Sequence, residues 1–220
     1  MTIHPLPSYP MPAQAVINRV DWRPRADRAV LLIHDMQEYF LNKYDTAQSP
    51  IPELVRNIAR LRDLCSGLDI PVVYTAQSSH QPAEERALLN DFWGPGMTAP
   101  EFHGQEAIIP ELAPRPADIV LKKWRYSAFQ RSDLRQRMAV MGRDQLIITG
   151  IYAHIGCMAT ALDAFMQDIQ PFMAIDGCAD FSASEHEQAL RHVSQRCGVS
   201  LTCAQIASSL QCQGLSVSQP

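Results

Sequence analysis

The chain has 220 residues, 46% of them hydrophobic, and a net charge of −4. That is the size of one globular domain with ample core, and mild acidity without a basic run or basic–aromatic stripe argues against a nucleic-acid partner. No stretch reaches the ~20 apolar residues of a membrane span, and the proline-rich start MTIHPLPSYPMPAQ lacks the charged-then-apolar order of a secretory signal.

In chain order, short apolar runs alternate with amphipathic segments. The runs are RAVLLIH (28–34), PVVYTA (71–76), DIVLK (118–122), QLIITG (145–150), PFMAID (171–176) and VSLT (199–202). They are rich in Val, Ile and Leu and nearly continuous, the pattern of strands covered on both faces. Helical patterns fall near 52–68, 82–90, 132–141, 156–168 and 184–197, with start signals at Ser132 and at Ser184, where Glu187 follows as in a capping box. Repeated strand–helix alternation predicts an α/β fold: three layers, Rossmann-like, with a mostly parallel sheet of about six strands between helices. The expected division is an N-terminal arm (1–20), one domain (21–207) and a polar tail (208–220). The six cysteines (Cys65, Cys157, Cys178, Cys197, Cys203, Cys212) form no C-x-x-C pair and read as reduced, mostly buried thiols of a cytoplasmic protein.

Ligands of such a sheet bind beyond the carboxyl ends of the strands, where strand order reverses. The residues leaving those ends are Asp35, Gln77, Lys123 and the loop from Gly150 to Gly156. Taken singly they are weak signals. Asp35 could cap a helix, Gln77 could be a loop amide, and Arg86 in EERALL has the look of an exposed helix residue. Behind Lys122 and Lys123 stands WRYSAF, which suggests a cationic, partly apolar pocket. No G-x-G-x-x-G, Walker loop or G-x-S-x-G elbow occurs. His186-Glu187…His192 misses the i, i+4 spacing of a helical zinc site and reads as a solvated helix, so no metal or other cofactor is expected.

The strings HDMQEYF, YTAQ, LLNDFWGPGM, KKWRYSAF, LIITGIYAHIGCMATALDAF and DIQPFMAIDGCADFS, in this order, resemble the isochorismatase branch of the isochorismatase-like hydrolases over about Val20 to Thr202. The resemblance implies strand order 3-2-1-4-5-6. The wider superfamily uses an Asp, a Lys and a nucleophilic Cys. The first two fall on Asp35 and Lys123, and the Lys position selects Lys123 over Lys122. The Cys position falls on Gly156, so amide hydrolysis of the nicotinamidase type is not expected. Cys157, one residue on, is rotated by about 100° on a helix and should pack elsewhere. The glycine would make room for substrate beside backbone N–H groups at a helix start. By resemblance, Gln77, Arg86, Lys123, Tyr152 and the Gly156 backbone would hold carboxylates and hydroxyls, and Phe40, Trp93 and Tyr126 would wall an enolpyruvyl group.

The implied reaction is hydrolysis of isochorismate to 2,3-dihydro-2,3-dihydroxybenzoate and pyruvate in catecholate siderophore biosynthesis, with Asp35 as the acid. An alternative is the same chemistry on 2-amino-2-deoxyisochorismate in a phenazine-type pathway. A reading of another class is a non-catalytic interaction module of a siderophore assembly line. Siderophore isochorismatases often carry a C-terminal aryl carrier domain, and the residues after Thr202 are too few for one and lack a D-S-L motif, so a carrier would be a separate protein or a further part of a longer one. Expected partners are the small-molecule substrate and the siderophore synthetase or dihydrodiol dehydrogenase proteins; no membrane is expected, and a homo-oligomer is compatible with the sequence.

Overall fold

The structure is a computed structural model that describes residues 3–212. Six strands form one sheet: β1 (Ala29–His34), β2 (Val72–Ala76), β3 (Ile119–Lys122), β4 (Gln145–Ile151), β5 (Gln170–Ala179) and β6 (Val199–Leu201). Every pairing is parallel and the order is β3-β2-β1-β4-β5-β6, as expected. Six of the helices are α1 (Glu38–Leu41), α2 (Ile51–Gly67), α3 (Ala83–Arg86), α4 (Leu89–Trp93), α5 (Leu134–Val140) and α6 (Met158–Met166). Two more are α7 (Ala183–Arg196) and α8 (Cys203–Cys212).

The strand period of two divides the core into two halves. Leu31, Ile33, Val72 and Tyr74 face α2 and α8, meeting Leu54, Ile58, Ile206 and Leu210. Val30, Leu32, Val73 and Ile148 face the other way and meet Leu134, Met138, Ala161, Ala164, Leu190 and Val193 of α5, α6 and α7. Because helices cover both faces, the strands carry apolar residues at nearly every position. No helix among the described residues is long and apolar enough to cross a membrane.

Several local expectations shift. The helical pattern over 82–90 breaks into α3 and α4 because Ala87 adopts a left-handed backbone (φ 49°). The strand expected over 171–176 extends to Ala179, since a register shift against β4 lets it pair again with Gly150 and Ile151. The cap of α7 is Ser182, whose extended backbone lets its hydroxyl accept from Glu185 N–H at 3.3 Å and donate to the Glu185 carboxylate at 2.8 Å; the Ser184–Glu187 pair lies inside the helix. His186, read as part of a solvated helix, is fully buried and bonded to the Tyr9 hydroxyl at 3.1 Å. Residues 208–212 belong to α8, anchored by buried Leu210, rather than to a polar tail. The rest of that tail lies outside the described residues.

Strands β1 and β4 approach so closely that Gly150 (φ 105°) has no room for a side chain: a Cβ there would lie 2.1 Å from the His34 carbonyl oxygen. Gly67, by contrast, has open space. Gly150→Ala should therefore lower the unfolding free energy by about 3 kcal/mol or more, combining overpacking with a strained φ. Gly67→Ala should be neutral or stabilising. Urea unfolding of the two variants checks this, and equal stabilities would contradict the close approach.

Candidate active site

β1 pairs with both β2 and β4, so strand order reverses between β1 and β4 and a crevice opens beyond their carboxyl ends. Asp35 and Lys123 are the first residues past β1 and β3. Their amides still bond to the intervening β2: Asp35 N–H to the Thr75 carbonyl at 3.2 Å, Lys123 N–H to the Ala76 carbonyl at 2.9 Å. Two strand spacings, ~10 Å, thus separate the backbones, and the lysine stem bridges the gap. Lys123 Nζ donates to Asp35 Oδ2 at 2.7 Å, while the Thr75 hydroxyl donates to Oδ1 at 2.6 Å. Asp35 takes a left-handed backbone (φ 50°), a conformation that Asp tolerates better than most residues.

Both partners of this pair are buried. Burial pushes the Asp35 carboxyl up, but Lys123, His34 and the two side-chain hydrogen bonds outweigh it and hold the group below the ordinary carboxylate value. Lys122 points outward and stacks on the Trp124 ring with its Nζ 4.2 Å from the centroid, as opposite-facing neighbours at a strand end must.

The pair lies in a cavity lined by all nine residues singled out in the sequence: Asp35, Phe40, Gln77, Arg86, Trp93, Lys123, Tyr126, Tyr152 and Gly156. The break at Ala87 turns Arg86 inward. The residue is 4% exposed, and its guanidinium donates to Asn90 Oδ1 (3.1 Å) and the Gly94 carbonyl (3.0 Å). Among the described residues no carboxylate lies within ion-pair distance of it. Gln77 is held by the buried Gln37 amide, which accepts from Gln77 N–H and donates to Gln77 O, each at 2.8 Å. Trp93 Nε1 donates to the Tyr126 hydroxyl at 2.8 Å across the cavity mouth. Tyr152 lies edge-on to Phe40 with centroids 5.8 Å apart and gives its hydroxyl proton to the Phe40 carbonyl at 3.3 Å. Among the described residues, the lining contains no Ser, Thr or Cys. Among the described residues, no group of three or more His, Cys, Asp or Glu is placed to hold a metal ion.

His34, Thr75 and Gln37 escape the sequence reading. Thr75 pairs directly with His34 in the sheet, so a register estimate for β1 and β2 was the one signal that could have put its hydroxyl beside Asp35. His34 changes the reading of Gly156. The fully buried imidazole bonds to the Ile151 carbonyl (2.9 Å) and meets the Tyr126 carbonyl at 3.3 Å. A Cβ on Gly156 would lie 2.1 Å from its Cε1. The direction a side chain at 156 would take is filled by His34, so the glycine is needed for packing whatever room it also leaves for a ligand. Burial and Lys123 lower the His34 pKa to about 4 despite the neighbouring Asp35 carboxylate, which keeps the ring neutral. The helix start expected to offer backbone N–H groups is a π-helical turn (Ala153–Cys157). There the His154 amide is taken by Asp180, and those of Ile155 and Cys157 by the Tyr152 carbonyl. Cys157 is buried in the layer shared with α5–α7.

Removing Lys123 would strand the Asp35 carboxylate without its cation. Lys123→Met should lower stability at pH 7 by roughly 3–5 kcal/mol, and Lys122→Met by no more than about 0.5 kcal/mol. In the wild type, stability from the depressed Asp35 carboxyl is fully present above its unfolded-state pKa and is lost as pH falls through the folded-state value. That acid-side loss should shrink in Lys123→Met. Chemical unfolding between pH 3 and 7 measures both effects, and the reverse ranking of the lysines would overturn the assignment.

Comparison with known proteins adds to this geometry. The family described as "Isochorismatase domain" matches residues 29–205. The chain is 49% identical over 213 residues to "Isochorismatase" of Bacillus subtilis (strain 168), covering 96% of this chain and 68% of that one. It is 52% identical over 201 residues to "Enterobactin synthase component B" of Escherichia coli (strain K12), covering 90% and 70%. It is 45% identical over 206 residues to "Phenazine biosynthesis protein PhzD1" of Pseudomonas aeruginosa, covering 90% and 95%. The crystal structure of a cysteine hydrolase from Pseudomonas syringae pv. phaseolicola superposes with a TM-score of 0.79 at 18% identity, covering 91% of this chain and 99% of that one, a likeness of fold. On the family match and these identities, the chain belongs to the isochorismatase family of hydrolases.

Proposed function

We propose that the chain hydrolyses the enolpyruvyl ether of isochorismate to 2,3-dihydro-2,3-dihydroxybenzoate and pyruvate. The observation that carries this reading is the company Asp35 keeps. A buried carboxylate, its lysine and a buried arginine share one aromatic-walled cavity in which, among the described residues, the arginine has no carboxylate partner and no Ser, Thr or Cys is presented. A ligand for it should be anionic, partly apolar and broken down without a covalent acyl-enzyme. Isochorismate has two carboxylates for Arg86 and Lys123, and a vinyl ether for the wall of Phe40, Trp93 and Tyr126. Gln77 and the Gly156 backbone would take its remaining polar groups. The Tyr152 hydroxyl, already donating to Phe40, would contribute through its ring and one free lone pair.

Vinyl ethers hydrolyse when the terminal CH2 is protonated. Water then adds to the oxocarbenium carbon, and the hemiketal collapses to a ketone and an alcohol. Protonating carbon is the slow step and needs a positioned acid. Asp35 is assigned that role. Its ionised state in the empty site means that it takes up a proton when the dianion arrives and draws on Lys123. It gives that proton to the CH2 and recovers one from the attacking water, so acid and carboxylate are restored at each turnover.

A second reading is the same chemistry on 2-amino-2-deoxyisochorismate, supported by the likeness to the phenazine protein. The likeness to the enterobactin component and to the Bacillus isochorismatase favours isochorismate, a place in catecholate siderophore synthesis and work alongside synthetase and dihydrodiol dehydrogenase proteins. The unpaired thiols among the described residues fit a cytoplasmic setting.

Incubation with each substrate, coupled to lactate dehydrogenase to report pyruvate, tests the reading. Isochorismate should be the better substrate. Asp35→Asn should lose turnover by roughly 10²–10⁴-fold with little change in binding, and Lys123→Ala by about a hundredfold or more. In ¹⁸O-water the ring hydroxyl of the dihydrodiol should stay unlabelled, because the ether oxygen remains on the ring. Label in that hydroxyl, or an intact rate in Asp35→Asn, would overturn the mechanism.

A further inference from the structure

The cavity wall includes a residue from well ahead of the region that the family match covers. Ile3 lines the same cavity as Asp35 and Lys123, whereas the family match begins at residue 29. Residues 3–11 have no regular secondary structure, yet they are tied down along their length. Leu6 N–H donates to the Lys43 carbonyl at 2.7 Å, Tyr9 N–H to the Ser49 carbonyl at 3.1 Å and Met11 N–H to the Ser49 hydroxyl at 3.1 Å. Ile3, Leu6 and Met11 pack on the core half that faces α2 and α8.

The firmest tie is Tyr9. Its buried hydroxyl accepts from Asp180 N–H at 2.7 Å and meets His186 Nδ1 at 3.1 Å. Burial keeps His186 neutral, its pKa near 4, so the ring nitrogen is free to accept the tyrosine proton. Asp180 also serves the cavity. Its carboxylate receives the His154 and Phe181 amides at 2.6 and 2.9 Å. Phe181 then stands edge-on to Tyr152 with centroids 4.6 Å apart, and to Trp93 at 6.3 Å. The arm and the aromatic wall therefore share one anchor.

We propose that the N-terminal arm completes the substrate site, with Ile3 as a specificity-determining wall residue and Tyr9 as the positioning residue that latches it. The proposal rests on the reading that the ligand is an isochorismate-like dianion. An apolar side chain at position 3 covers the apolar part of such a ligand and keeps bulk water out, which strengthens the attraction of Lys123 and Arg86 for its carboxylates. A carboxylate at the same position would repel the ligand.

The test compares Ile3→Asp with its neutral isostere Ile3→Asn, and Tyr9→Phe with the Ile3→Ala and Ile3→Ala/Tyr9→Phe variants. Ile3→Asp should raise KM for isochorismate about tenfold or more over Ile3→Asn, by an amount that shrinks with added salt, with kcat changed far less. Tyr9→Phe should raise KM, and the double variant should match Tyr9→Phe rather than multiply the two single effects, because both act through one arm. An Ile3→Asp variant with unchanged kcat/KM, or multiplicative effects in the double variant, would overturn the proposal. If the wild type turns over neither isochorismate nor its amino analogue, the functional reading fails and the arm is judged by access alone. Acetic anhydride labelling of Lys123 should then rise several-fold in Ile3→Gly and in Tyr9→Phe, and equal labelling would overturn the arm's role.

Discussion

The buried contact between Lys123 and Asp35 is the constraint around which the site is arranged. Taking two charges out of water costs several kcal/mol per ion unless the geometry and the remaining hydrogen bonds are good. Here the carboxylate is served on one oxygen by the lysine and on the other by Thr75, and the lysine's own carbonyl accepts from the buried Gln81 amide at 2.6 Å. The strand order supplies the arrangement. Only with β2 between β1 and β3 do the two side chains converge over a threonine, at the end of the sheet where a ligand has access.

The chemistry this permits is set equally by what the packing forbids. His34 fills the space that a side chain at 156 would need, and Gly150 lets β4 press against the His34 backbone. A nucleophile at 156 would have to displace a fully buried imidazole bonded to the Ile151 carbonyl. With that position closed, the buried Asp35 carboxylate is the group proposed to move a proton, and Arg86 supplies positive charge that no carboxylate among the described residues neutralises. Acid-catalysed ether cleavage asks for such a combination: a proton carrier, fixed cations and an apolar wall.

Much of this was legible in the sequence because it follows from local pattern. Continuous Val/Ile/Leu runs mark strands buried on both faces, and the residue after each run marks the site edge, so Asp35, Gln77 and Lys123 could be named before any coordinates. Arg86 was harder. EERALL has the periodicity of a helix, and only the left-handed turn at Ala87 makes the arginine face inward. Thr75, Gln37 and His34 act through register and packing across strands, which no single segment encodes. The arm itself was legible, but its docking was not, for the same reason: a proline-rich stretch gives no periodic signal, and its place is decided by a tyrosine reaching Asp180, 171 residues away.

The central claim is that Asp35 is ionised in the empty site and becomes the acid only when a dianion engages Lys123. Titration calorimetry with an inert dianionic analogue of isochorismate, in buffers of different ionisation enthalpy, measures that step directly. The account predicts uptake of close to one proton per site at pH 7, abolished in Asp35→Asn while the analogue still binds. Binding without proton uptake in the wild type, or unchanged uptake in Asp35→Asn, would contradict it.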